Sequence, residues 1–174
     1  DVLFALLLRE FQTRFGSRRM GAFWMIFEPA VHVFVMLFIF SIIKARTIQG
    51  MDYPLFLLSG LIPFFMMRNI ARNLMESVNA NKALFVYPNI KIFDTYISRA
   101  LVEIIIYGTI YLLFLFCLGY WFHFDVSIAH PVGFFGALLT GILFSFGLGI
   151  LLSILSQALP SIKSFVGIMF MVFY

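Results

Sequence analysis

The sequence predicts an all-α membrane protein: a helical bundle with at least five transmembrane helices, entered through an amphipathic helix lying in the membrane interface. Three observations carry this. Of the 174 residues, 63% are hydrophobic and 11% charged, with a mean hydropathy of +1.03, whereas soluble domains carry about 25% charged residues. The apolar runs are long enough for helices of about 20 residues, the length that crosses a hydrocarbon core of about 30 Å. They also lack the in-out alternation of outer-membrane strands. The single cysteine, Cys117, excludes an internal disulfide.

Residues 1–21 form the expected interface helix. Phe4, Leu7, Leu8, Phe11 and Phe15 recur at helical spacing, and Arg9, Arg14, Arg18 and Arg19 fall between and after them. Such a helix lies in the interface with its basic side toward anionic head groups. The arginines follow the apolar residues instead of preceding them, which argues against a signal peptide.

Spans are expected at about 22–43, 53–75, 96–120, 131–155 and from 165 onward, all in one transmembrane domain covering 1–174. The run from Phe165 to Tyr174 is ten residues, too short to cross at 1.5 Å per residue. The domain is therefore expected to continue beyond Tyr174. The apolar part of the second span is short, and its helix is expected to run on through Arg68, Arg72 and Glu76. With a cytoplasmic N-terminus, Arg9, Arg14, Arg18, Arg19, Lys82, Lys91, Arg99 and Lys163 face inward and only Lys44 and Arg46 face outward. The basic bias thus sets the orientation.

The chain carries no phosphate-binding loop of the GxxxxGK[ST] type, and His32, His123 and His130 lack metal-ligand spacing. No catalytic residue and no metal site are expected, and no nucleic-acid partner. A membrane-embedded glycan-processing enzyme or scaffold would need clustered acidic residues and histidines within the spans, which the sequence lacks.

Glu28, followed by Pro29, sits near the start of the first span. An ionisable residue inside a span is by default a functional candidate, but at this position it can also lie at interface depth beside a proline kink. Arg68, Arg72 and Glu76 share one helix face. They line a polar cavity or form the solvated face of a helix that has left the membrane, and the second reading is the simpler. Arg99 and Glu103, also four apart, read as a local ion pair. In the fourth span Gly133, Ala137, Gly141, Ser145, Gly149 and Ser153 form a row of small residues spaced by four, which lets another helix backbone approach closely.

The segment 79–91, NANKALFVYPNIK, places an apolar patch in a polar connector. It is compatible with a short helix or turn ended by Pro88. Such a patch rests on the lipid surface or docks a partner protein.

Several runs together resemble one family. Arg14-Phe-Gly-Ser-Arg-Arg-Met-Gly21, then Trp24 and Pro29, resemble the entry segment of type-2 ABC exporter permeases. Tyr53-Pro-Leu-Phe-Leu-Leu-Ser-Gly-Leu-Ile-Pro63 resembles the opening of their second span, and the Asn79–Pro88 segment their first cytoplasmic loop. Glu28-Pro29 with His32 looks most like the capsular polysaccharide branch. The resemblance implies six spans per full-length subunit, a homodimer, and separate ATPase subunits that carry ATP and Mg, with no cofactor on this chain. It makes Asn81, Lys82, Leu84, Phe85, Tyr87 and Pro88 the ATPase-docking coupling segment. Glu28, Arg68, Arg72 and Glu103 become candidates for the substrate path or its gating. The implied cargo is a lipid-linked capsular polysaccharide moved across the bacterial inner membrane to the periplasm, with O-antigen, teichoic acid or a smaller amphiphile as alternatives. Implied partners are the cytoplasmic ATP-binding subunit, a second copy of the chain, membrane lipids, and periplasmic and outer-membrane export proteins.

Overall fold

A computed structural model describes residues 2–15, 21–43, 53–128, 130–159 and 165–169. Among them the secondary structure is helical with no strand. The elements are α1 (Val2–Phe15), α2 (Gly21–Ile43), α3 (Tyr53–Ala80), a 3-10 turn (Lys82–Val86), α4 (Ile92–Phe122) and α5 (Pro131–Ala158). Residues 165–169 are again helical. Helices α3, α4 (over Ile92–Trp121) and α5 are long and apolar enough to cross a membrane, and α2 contains a shorter apolar stretch, Pro29–Phe40. Arg18, Arg19, Lys44, Arg46 and Lys163 lie outside the described residues.

Helix α3 is the centre of the bundle, packed between α5 on one side and α4 on the other. Leu55, Leu58, Ile62, Phe65, Met66, Ile70, Leu74 and Val78 are buried along it at helical spacing. From α4, Tyr96, Ala100, Ile106, Tyr107, Ile110, Phe114 and Leu118 complete the core. The opposite face of α4 exposes Leu112, Phe116, Tyr120 and Trp121. Exposed apolar residues of this kind suit a bundle surrounded by lipid, where tails solvate them as well as a protein core would. Pro29 and Pro63 sit inside α2 and α3, a placement that membrane helices tolerate.

Local chemistry sets the ends of α4. The Asp94 carboxylate accepts the Lys91 backbone N–H at 3.2 Å, and an acid in the first turn complements the helix dipole. At the far end His123 takes a left-handed conformation (φ 54°), and the Phe124 N–H returns to the Leu118 carbonyl at 3.4 Å, closing the helix as an αL cap does. Just beyond, Asp125 accepts the Ser127 backbone N–H at 3.0 Å. Hydrogen bonding from Ser127 holds its carboxyl below the usual range.

The small-residue row of α5 meets α3 along only part of its length. A Cβ built on Gly149 would lie 2.7 Å from the Leu74 Cβ and 3.2 Å from the Ala71 Cα. One built on Gly141 would meet the Met67 side chain. Ser145 and Ser153 are buried, as is Ser156, which the row did not include. Tyr96 and Ser153 share a 2.9 Å hydroxyl–hydroxyl bond, and the Ser156 hydroxyl is shared between the Ser153 carbonyl of its own helix at 2.9 Å and the Met75 carbonyl at 3.4 Å. Gly133 and Ala137, by contrast, are exposed. The close contact begins about two turns later than the sequence row, at Gly141.

Helix α1 also departs from expectation. Leu6 is buried, and Leu7 and Phe11 pack on the core, but Val2, Leu3, Phe4 and Leu8 are exposed. Its polar side, with Arg9, Glu10 and Arg14, turns toward α3 and α4 rather than toward head groups. The physical reason is the supply of buried polar partners on those helices. A charged group that finds a fixed partner inside the protein is held more strongly there than by mobile head groups.

Candidate functional site: a polar cavity beside a protruding turn

The site grows out of α1. The Arg9 guanidinium donates to the Asn81 side-chain oxygen at 3.1 Å. Glu10 pairs with Arg14 at 3.5 Å and with Arg99 at 3.4 Å. Arg14 reaches on to Glu103, whose carboxylate also accepts the Asn73 amide at 2.6 Å. Arg99 in turn donates to the Asn73 carbonyl at 2.9 Å. Glu103 is only 2% exposed, so its charge depends on these donors; a buried carboxylate without partners is several kcal/mol less favourable.

This overturns the local pairing expected of Arg99 and Glu103. Each instead takes its partner from α1, Arg99 from Glu10 and Glu103 from Arg14. Spacing by four makes such a pair sterically available, but it does not outweigh an opposite charge delivered by another helix.

Beside this network lies an open cavity of about 350 Å³. Helix α3 lines it with Phe65, Arg68, Asn69, Arg72, Asn73 and Glu76, α4 with Glu103, Ile106 and Tyr107, α2 with Pro29 and His32, and α1 with Arg14. The Asn69 amide donates to the Tyr107 hydroxyl. The Arg68 guanidinium lies over the Phe65 ring, 5.3 Å from its centroid, and the His32 ring meets Phe65 edge-on at 5.0 Å. Stacking on an aromatic face stabilises a guanidinium away from bulk water.

Arg68, Arg72 and Glu76 therefore line a cavity rather than a plain solvated face, and Glu103 and Arg14 close one of its walls. Glu28 lies on α2, and its side chain is outside the described residues. Arg14, Asn69, Asn73 and Tyr107 were not among the site candidates. Only Arg14 and Tyr107 carried any signal, as an interface charge and as a tyrosine within a span.

The segment expected to dock the ATPase forms the 3-10 turn just after α3. Val86 is 82% and Tyr87 63% exposed; Lys82, Ala83 and Pro88 are exposed, and Leu84 and Phe85 half-buried. Phe85 packs against the core. Asn81 departs from the expected role: it is 4% exposed, receives Arg9, and donates its amide to the Ser77 carbonyl at 3.0 Å. It anchors the turn and offers nothing to a docking partner. Val86, outside the expected contact set, is more exposed than Tyr87.

The sequence profile of the ABC-2 type transporter family matches residues 1–174. The chain belongs to this family. This ABC-2 chain is 36% identical over 162 residues to the polysialic acid transport protein KpsM of Escherichia coli, an alignment covering 91% of the chain and 61% of KpsM. It is 31% identical over 103 residues to the capsule polysaccharide export inner-membrane protein BexB of Haemophilus influenzae, covering 59% of the chain and 39% of BexB. The capsule polysaccharide export inner-membrane protein CtrC of Neisseria meningitidis is likewise 31% identical over 103 residues, with the same two shares. The chain spans no more than 61% of the length of any of these relatives.

Proposed function

We propose that this chain forms part of the membrane-spanning permease of an ATP-driven exporter. The cargo is a lipid-linked capsular polysaccharide, carried from the cytoplasm across the bacterial inner membrane. ATP and Mg act on a separate cytoplasmic subunit, and the chain itself holds no catalytic group. The observation that carries this reading is the turn Lys82–Val86, which presents Val86 and Tyr87 to solvent at the junction of α3 and α4 in an ABC-2 chain. The likeness to a polysialic acid transport protein and to two capsule polysaccharide export proteins, KpsM, BexB and CtrC, favours a capsular polysaccharide over O-antigen or teichoic acid.

In this reading the ATPase subunit seats on Val86, Tyr87 and Pro88. The turn continues directly into α3 on one side, and α4 begins a few residues past Pro88. Asn81 ties its base to Arg9 of α1. A displacement of the turn thus reaches three of the four helices that surround the polar cavity. ATP binding shifts the two-state equilibrium only by as much as it favours one helix arrangement over the other. A second copy of the chain completes the pore, with the N-terminus on the cytoplasmic side as the basic bias requires.

The test is co-purification of the full-length protein with an ATPase bearing a phosphate-binding loop, together with glycan accumulation in a deletion strain. Val86→Glu is the appropriate docking variant, because Phe85 packs on the core and its substitution would disturb the fold. Val86→Glu is expected to reduce export at least about ten-fold, about 1.4 kcal/mol of docking energy or more, with unchanged membrane insertion. Normal export by Val86→Glu, with the ATPase still bound, would remove the docking role.

A further inference from the structure

We propose that the cavity between α1, α2, α3 and α4 binds an oxyanion, a phosphate or carboxylate carried by the lipid-linked saccharide, with Arg68 and Arg72 as its charge partners. The inference rests on the permease reading and assigns to this cavity the part of the cargo it would recognise.

Four observations lead to it. Arg68 and Arg72 stand one helical turn apart on α3 and line the same cavity. Three guanidiniums (Arg14, Arg68, Arg72) face two carboxylates (Glu76, Glu103) across the lining, so the walls are net cationic. The carboxylate of Glu103 is already engaged by Arg14 and Asn73. The remaining polar chemistry is weighted toward donors: guanidiniums have no acceptor, and the Asn69 amide, one N–H of which goes to Tyr107, adds a second.

The size and walls fit an acid on a sugar rather than a small inorganic ion alone. A volume of about 350 Å³ lies in the usual range for small-molecule sites. Phe65 and Tyr107 border it but are themselves nearly buried, so what the cavity offers an acidic sugar is its polar lining. The cavity adjoins the apolar half of α3, where low dielectric strengthens charge-assisted bonds relative to water. A planar guanidinium pairs with phosphate or carboxylate through two parallel bonds, which a neutral glycan cannot exploit.

The test uses the full-length protein in nanodiscs of zwitterionic lipid, titrated at low salt with three soluble probes. Oligosialic acid carries carboxylates and no phosphate. Glycerophosphoglycerol carries a phosphate and no sugar. Maltotetraose carries neither. At least one acidic probe is expected to bind more tightly than maltotetraose. Arg68→Gln and Arg72→Gln are each expected to weaken that binding about ten-fold, and Arg68→Lys to restore part of it. Preference for the first probe assigns the acid to the saccharide, and preference for the second to the lipid linkage. Arg72 is exposed, so Arg72→Gln keeps the test decisive should Arg68→Gln fail to insert. The inference is overturned if neither acidic probe outbinds maltotetraose, or if binding is unchanged in Arg72→Gln and in correctly inserted Arg68→Gln. Glycan export by the wild type with such unchanged binding would remove the anion site alone. A deletion strain that exports its glycan normally would remove the permease reading itself.

Discussion

Helix α3 has two flanks of opposite character. Toward α5 the contact is made by small residues, with Gly149 set against Leu74 and Ala71 so closely that a single methyl group would collide. Toward α1, α2 and α4 the same helix presents Arg68, Asn69, Arg72, Asn73 and Glu76 to an open polar cavity, closed on one side by ion pairs from α1. Lipid tails are as apolar as leucine, so burying apolar surface does little to bring helices together in a bilayer. The two flanks use the two remaining means, dispersion at close approach and charge-assisted hydrogen bonding. The first is sensitive to volume and indifferent to charge; the second is the reverse.

Substitutions that add volume or remove charge separate the two flanks. The largest effect is expected from Gly149→Leu. The clashes involve the Leu74 Cβ and the Ala71 backbone, which cannot swing aside, so a loss of about 3 kcal/mol is expected, at the upper end of ordinary overpacking. Reversible unfolding in mixed micelles measures it, and a stability equal to wild type would mean that α3 and α5 do not touch there. Next comes Glu103→Ala, which strips Arg14 and Asn73 of a shared acceptor. Arg14 keeps Glu10 at 3.5 Å and is 23% exposed, which reduces the loss to about 2 kcal/mol from the 3–5 typical of a broken buried pair. A double-mutant cycle with Arg14→Gln should show coupling of about 1 kcal/mol; strict additivity would place the two side chains out of contact. The smallest effect belongs to Gly141→Ala, below about 1 kcal/mol, because its obstacle is the flexible end of Met67. Should Gly141→Ala cost more than Gly149→Ala in the same assay, Met67 does not swing aside as its flexibility requires.

Much of this was legible in the sequence, for identifiable reasons. The helical class follows from composition and run length, since only helices satisfy their backbone over about 20 apolar residues. The small residues of α5 announce a contact face by their spacing, although periodicity cannot say where along the face the partner begins, and Gly133 and Ala137 lie outside the contact. The facing of α1 was not legible. Its apolar and polar sides are evident, but amphipathicity does not say whether the polar side meets water, head groups or protein. That depended on Glu103 and Asn81, which lie 89 and 72 residues from their α1 partners. For the same reason the cavity was seen only in part: Arg68 and Arg72 were candidates, while Asn69 and Asn73 became site residues only when α4 was placed beside them.

A row of small residues repeated every four positions fixes a face but not a register. Sliding α5 along α3 by four residues, about 6 Å, would set Ser145 or Ser153 where Gly149 now stands, with its Cβ 2.7 Å from the Leu74 Cβ. The hydroxyl groups favour the same register that Gly149 does. Ser153 is bonded to Tyr96 on α4, and Ser156 to the Met75 carbonyl on α3, and a one-turn slip would lose both bonds together. The serines in α5 thus act as a second index mark beside Gly149, holding one alignment on a track of small residues.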